Sequence, residues 1–254
     1  MIRSKTVTLW VCGAALLGLA ACNKTTNEPS RSSSSGGATS VAPSGSAAKA
    51  ADKALVRFIN ATPSPKQLTF GDTTAFSNVA AKAAMEYIEL PAERHEFKLY
   101  DANQPTSGEP LASNSEGLTA GQHYTVLATT GENHKAILEP ISDDLAQPDP
   151  GKAKIRVIHA APGVKKVDVY VAGTDKALVD GVGFKSATGY KEVDPVATEI
   201  DLRTTGSKNN AERIGNLSLA AGRMYTLVVM GGNGQPLSST VIEDRLEPAR
   251  TSSR

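Results

Sequence analysis

Val56-Arg57-Phe58-Ile59-Asn60-Ala61-Thr62-Pro63 returns about a hundred residues later as Ile155-Arg156-Val157-Ile158-His159-Ala160-Ala161-Pro162. The echo continues downstream. Leu118-Thr119-Ala120-Gly121-Gln122-His123-Tyr124-Thr125-Val126 is answered by Leu219-Ala220-Ala221-Gly222-Arg223-Met224-Tyr225-Thr226-Leu227, and Ile141-Ser142-Asp143 by Ile242-Glu243-Asp244. Such a period is too long for a solenoid unit and suits two homologous domains in tandem. Whatever one copy folds into, the other must fold into as well. The copies span 53–146 and 152–247, and Gln147-Pro148-Asp149-Pro150-Gly151 between them is a short joint stiffened by its prolines.

Within each copy the hydrophobic pattern is that of strands. Val167-Asp168-Val169-Tyr170-Val171 alternates at period two, as do Glu199-Ile200-Asp201-Leu202 and Phe97-Lys98-Leu99-Tyr100. Turn signals separate the runs: Pro63-Ser64-Pro65, Thr106-Ser107-Gly108, Gly173-Thr174-Asp175 and the hairpin Gly231-Gly232-Asn233-Gly234. About seven short strands per copy, at intervals of about ten residues, predict β-sandwiches. The alanines of Asn78 to Glu86 hint at a helix, but the matching stretch Phe184 to Lys191 is flanked by Gly183 and holds Gly189, which argues against one. Leu-x-Ala-Gly-x-x-Tyr-Thr resembles the turn that leads into a strand of immunoglobulin-like domains. There a tyrosine hydrogen-bonds back across the corner, a structural role expected for Tyr124 and Tyr225 with Gly121 and Gly222 making the turns. The expected fold is all-β: two tandem immunoglobulin-like antiparallel β-sandwich domains.

The N-terminus carries a different message. A basic start (Arg3, Lys5), an apolar stretch from Val7 to Leu19 and a small-residue cleavage region make residues 1–21 a signal peptide, too short in its core to span a bilayer. Its end, Leu19-Ala20-Ala21-Cys22, resembles a bacterial lipobox. That resemblance implies a mature chain beginning at Cys22, lipidated there and held at the membrane by its acyl chains. Each buried methylene contributes about 0.8 kcal/mol, so two or three chains anchor firmly where one would not. Asn23, by resemblance to Gram-negative sorting signals, points to the outer membrane of the cell envelope. Residues 22–52 are rich in Ser, Ala and Gly and cannot bury enough apolar area to offset ordering entropy, so a disordered tether is expected, with a second disordered tail at 248–254.

Composition narrows the partners. The chain has 27 basic and 26 acidic side chains; without Arg3 and Lys5 the mature balance is 25 to 26. A nearly neutral chain argues against a nucleic-acid partner, which would want concentrated basic surface. Cys12 leaves with the signal peptide and Cys22 takes lipid, so the folded part is expected to stand without disulfides.

Ile155 to Pro162, followed by Val167-Asp168-Val169-Tyr170-Val171 and later by Gly183-Phe184 and Gly189-Tyr190, resembles the bacterial domain of unknown function 4397. The first copy follows that pattern less closely: Asn60 stands for His159, and Leu68-Thr69-Phe70 replaces the Asp- and Tyr-bearing strand. The resemblance implies envelope location and a sandwich fold, often in tandem, and brings no catalytic residues.

Candidate chemistry is sparse. His159, where a strand meets its turn, is the one candidate ligand-loop residue, although an imidazole that hydrogen-bonds and braces the loop is the plainer reading. His95, His123 and His134 are isolated from one another and from cysteine, so zinc-type spacing is missing. Gly181-Val182-Gly183-Phe184-Lys185-Ser186 lacks the Gly-Lys junction of a phosphate-binding loop. Asp143-Asp144 and Asp149 gather at the joint, where calcium or simple solvation would suit them; no metal and no cofactor is expected. The expectation is a membrane-anchored, non-catalytic binding or scaffolding module for a protein or glycan. An enzyme with a site between the domains, or a purely structural envelope spacer, are the contrasting readings.

Overall fold

The computed structural model describes residues 52–131, 133–208 and 210–245. The signal peptide, Cys22, the tether up to Ala51 and the 248–254 tail lie outside the described residues.

The described residues form strands and turns, with no α-helix among them. The first repeat contributes β1 (Lys53–Asn60), β2 (Lys66–Phe70), β3 (Thr73–Val79), β4 (Ala83–Ala84), β5 (Ile88–Pro91), β6 (Arg94–Asp101), β7 (Ala112–Gly117), β8 (His123–Thr130) and β9 (Ala136–Asp143). The second contributes β10 (Ala153–His159), β11 (Lys166–Val171), β12 (Ala177–Gly183), β13 (Lys191–Val193), β14 (Val196–Thr204), β15 (Asn210–Leu219), β16 (Met224–Gly232) and β17 (Gln235–Asp244). These exceed the expected seven per repeat because short pieces, β4, β5 and β13, add onto the free sides of β1 and β10 and satisfy their backbone groups.

Each repeat is a two-sheet sandwich. In the first, one sheet runs β4-β1-β8-β9 with β5 also on β1, and the other runs β3-β2-β6-β7. The second repeats this as β13-β10-β16-β17 and β12-β11-β14-β15. Pairing is antiparallel save for one parallel pair per repeat, β1 with β8 and β10 with β16. The inner faces make ordinary cores: Val56, Phe58, Leu68, Leu99 and Val126 in one, Ile155, Val157, Val169, Leu202 and Leu227 in the other. Tyr124 and Tyr225 are corner tyrosines. Their hydroxyls accept the backbone N–H groups of Thr119 (3.0 Å) and Ala220 (3.1 Å), and Gly121 and Gly222 turn the chain at φ 75° and 76°.

The sandwiches do not ride separately on their joint. The described residues belong to one compact unit, in which the β1 sheet of the first repeat packs on the β10 sheet of the second. This is why β1 is buried on both faces. Alternate residues Ala54, Val56 and Phe58 enter their own core, while Leu55, Arg57 and Ile59 point at the other repeat. From the joint end to the loop end, the interface has an apolar patch around Tyr87, Leu145 and Met224, then a polar layer, then an apolar patch of Ile59, Leu127, Ile158, Val228 and Met230. Burying each of these large aliphatic side chains contributes about 1.5–3 kcal/mol.

Candidate functional site

The polar layer is an exchange of charges between the repeats. Arg57 reaches across to Asp244 (Nη1 to Oδ1, 2.5 Å) and Arg156 reaches back to Asp143 (Nη1 to Oδ1, 2.6 Å). The second contact is a close ion pair without hydrogen-bond alignment at Oδ1. Thr125 and Thr226 sit between them. Each accepts the Nε–H of its own repeat's arginine, at 2.8 and 2.9 Å, and donates to its own repeat's aspartate, at 2.6 and 2.7 Å. Tyr87 and Tyr190 donate to Asp143 and Asp244 at 2.7 Å and lie against the arginines, with Cζ 4.9 and 4.8 Å from the ring centroids.

The arginine side chains are 2 % exposed and the two aspartates 0 %. Burial opposes charge on Asp143, but Arg156 and Arg57 outweigh it and hold the carboxyl below the ordinary carboxylate range. Burial likewise opposes charge on Arg57, and Asp244 foremost keeps it protonated. Burial raises the Tyr87 phenol, and Arg57 only partly offsets that. The arginines and aspartates of the layer are sealed from solvent and link the two repeats.

Where the same interface ends, at the loops after β1, β8, β10 and β16, the repeats part and leave a cleft of about 540 Å³. That size falls within the common range for ligand sites. Pro63, Pro162, Pro236 and Leu237 give it apolar walls; Thr130, Gln235 and Ser238 line it with polar groups. Two side chains bridge it from repeat to repeat: Lys82 Nζ donates to Ser238 Oγ (3.0 Å) and Asn233 Nδ2 donates to the Gly131 carbonyl (2.9 Å).

Backbone conformation marks this cleft. Five non-glycine residues among those described have left-handed φ, and three of them line it: Lys82 (60°), His134 (61°) and Asn233 (51°). Asparagine and histidine are among the non-glycine types enriched in that region, whereas a lysine loses about 1–2 kcal/mol there. Such outliers gather at ligand clamps and active sites. Gly232 (φ 78°) makes the second wall possible, since a Cβ there would overlap the Pro162 backbone.

The residues singled out in the sequence fall elsewhere. His159 is buried, with Nε2–H donating to the Val164 carbonyl (2.9 Å) and Nδ1 accepting the Ala161 N–H (3.2 Å). Asn60 does the same work in the first repeat: its Nδ2 donates to Ser64 O (2.9 Å) and its Oδ1 accepts the Thr62 N–H (3.0 Å). Both brace the loop after the first strand. The expected solvated cluster at the joint is corrected for Asp143, which the two arginines draw inward, while Asp144 and Asp149 stay exposed. No group of three metal-binding side chains occurs among the described residues. The cleft residues carry no warning in the sequence: His134 is isolated from the other histidines, Lys82 sits unmarked in the alanine-rich stretch Asn78 to Glu86, and Asn233 is part of a turn signal.

The model of the domain of unknown function DUF4397 matches residues 54–170 and again 153–254. No curated protein matches the chain. Among solved structures it is similar to the C-terminal domain of AlgF from P. aeruginosa, at 27% identity and TM-score 0.31, covering 37% of this chain and 98% of that one. It is also similar to a candidate cell adhesion protein from Bacteroides fragilis NCTC 9343 (11% identity, TM-score 0.22, covering 72% and 84%). A third is CBMbc, of family CBM26, from Eubacterium rectale Amy13K, solved with maltoheptaose (13% identity, TM-score 0.23, covering 76% and 97%). At such TM-scores these are loose likenesses and assign no activity.

Proposed function

Because this chain belongs to the DUF4397 family and carries its domain twice, we propose that it is a non-catalytic binding protein of the bacterial cell envelope. It is held by lipid at Cys22 and takes a protein or glycan ligand into the cleft between its repeats. The observation that carries this reading is the clustering of three left-handed, non-glycine residues around one inter-repeat cleft. The enzymatic alternative would draw His159 and carboxylates into such a cleft. Among the described residues the lining has neither: it offers Lys82, His134, amides and hydroxyls, without a nucleophile paired to an oriented base.

Chain direction supports an outward-facing site. β1 starts at Lys53 on the pole where the joint lies, and the cleft is at the opposite pole, beyond Asn60. An anchor upstream of Lys53 therefore attaches to the pole away from the cleft. Two variants test the proposal. Cys22→Ser should move the protein from the membrane fraction to the soluble one and abolish palmitate labelling; retention in the membrane refutes the anchor. Ala81→Trp, placed at the cleft wall, should abolish binding to peptide and glycan arrays while leaving thermal unfolding unchanged. Array binding that survives this filling of the cleft refutes the site.

A further inference from the structure

We infer that the cleft between the repeats is selective for an extended acidic peptide segment, in which a carboxylate lies beside small aliphatic side chains. The inference rests on the cleft being the binding site and goes further by naming what enters it.

Lys82 is the one ammonium among the lining side chains, and the hydroxyls and amides beside it can both donate and accept. Lys82 brings an ammonium, Thr130 and Ser238 hydroxyls, and Gln235 an amide. Lys82 is exposed, and its hydrogen-bond partner is a neutral hydroxyl, Ser238 Oγ at 3.0 Å; among the described residues it forms no ion pair. Glu212 on β15 feels the charge of Lys82 but does not pair with it. An ammonium held in a left-handed backbone at a cleft mouth, bonded only to a hydroxyl, can exchange that bond for a stronger charge-assisted one to a carboxylate. The apolar walls then decide what else the ligand carries. Pro63, Pro162, Pro236 and Leu237 suit aliphatic side chains, and the described lining has no Trp, Tyr or Phe face on which a sugar ring could stack. A peptide satisfies both halves of this surface at once. Its carboxylate meets Lys82, its main chain meets Gln235 and Thr130, and its Ala, Val or Pro side chains meet the prolines.

The test uses the purified chain from Cys22 onward with Cys22→Ser, and three probes. These are a fluorescent pool of acetylated, amidated hexapeptides of Ala, Val, Pro and Glu; the same pool with Gln in place of Glu; and an oligo-uronate of matching charge. The Glu pool should bind about fivefold more tightly than the Gln pool, the scale of one partly exposed ion pair. Lys82→Met should remove that difference by weakening only the Glu pool, and raised salt should do the same. Equal binding of the two peptide pools, or a difference that persists in Lys82→Met, overturns the peptide's acidic selectivity. Tighter binding of the oligo-uronate overturns the peptide assignment. In both cases loss of binding in Ala81→Trp preserves the cleft as the site, so the two failures are distinguishable. If no probe binds the wild-type protein, or if Ala81→Trp binds as well as wild type, the inference and the cleft reading fall together.

Discussion

At the scale of single residues, His159 shows how differing side chains can do one job. A buried imidazole in the second repeat and a buried amide in the first each donate to a carbonyl four or five residues on and accept the N–H two residues on. They differ in titration. Burial pushes the His159 pKa down, more than its bond to the Val164 carbonyl pushes it up. A lowered folded-state value means that the stability it contributes is complete above the unfolded value of about 6.5. It is lost as pH falls through the folded value, because the unfolded chain takes up a proton that the folded one refuses. His159→Asn should therefore keep most of the stability at pH 8 and flatten its decline below about pH 6.5. Urea midpoints measured from pH 8 to pH 5 check this, and an undiminished slope in the variant would show that the decline comes from other groups. His159→Ala, which leaves buried partners unpaired and a cavity, should cost about 2–4 kcal/mol at pH 8, and less as pH falls below about 6.5, where the wild-type imidazole's own contribution declines.

At the scale of elements, the strands and their turns were legible because period-two alternation and Gly, Pro and Asn punctuation are local signals. The corner tyrosines were legible too, since their partners lie five residues away. What stayed hidden is non-local. Leu55-Val56-Arg57-Phe58-Ile59 lacks the alternation of a half-buried strand, and its continuous apolar run with an arginine inside marks burial on both faces. The run was visible, but the second face needed a partner that no spacing names. The recurrence of Arg57 as Arg156, Thr125 as Thr226 and Asp143 as Asp244 was the available clue, hidden among the other matches between the repeats. For β1 this makes Arg57 a structural residue of the first order. Arg57→Met leaves Asp244 buried opposite an apolar side chain and should destabilise by about 3–5 kcal/mol in urea unfolding. Adding Asp244→Leu should recover part of that loss by removing the stranded charge. A single-variant cost below about 1 kcal/mol would mean that the layer is solvated in solution.

At the scale of the whole molecule, the joint matters less than the interface it spans. Gln147 to Gly151 reads as a linker between two domains, and its own side-chain ties are modest: Lys154 Nζ to the Gln147 carbonyl at 3.2 Å, and the Asp149 N–H to Glu192 at 2.9 Å. The interface, by contrast, crosses ion pairs between repeats and buries Ile59, Leu127, Ile158, Val228 and Met230. Each repeat alone would expose that apolar patch together with an arginine and an aspartate built for the other. Cutting the joint, by a protease site placed within 147–151, should thus leave the halves associated. They should co-elute in gel filtration near neutral pH and share one unfolding transition. The association should depend on acid in a defined direction. Asp143 is held below its ordinary value, so its contribution is complete above about pH 4 and is lost as pH falls further through its folded-state value. Acidification below about 4 should separate the cut halves, while the uncut chain, whose halves stay tethered at high effective concentration, should hold together to lower pH. Halves that drift apart at neutral pH once cut would show that the joint, and not the buried charge exchange, keeps the repeats together, and the cleft between them would then have no fixed shape to offer a ligand.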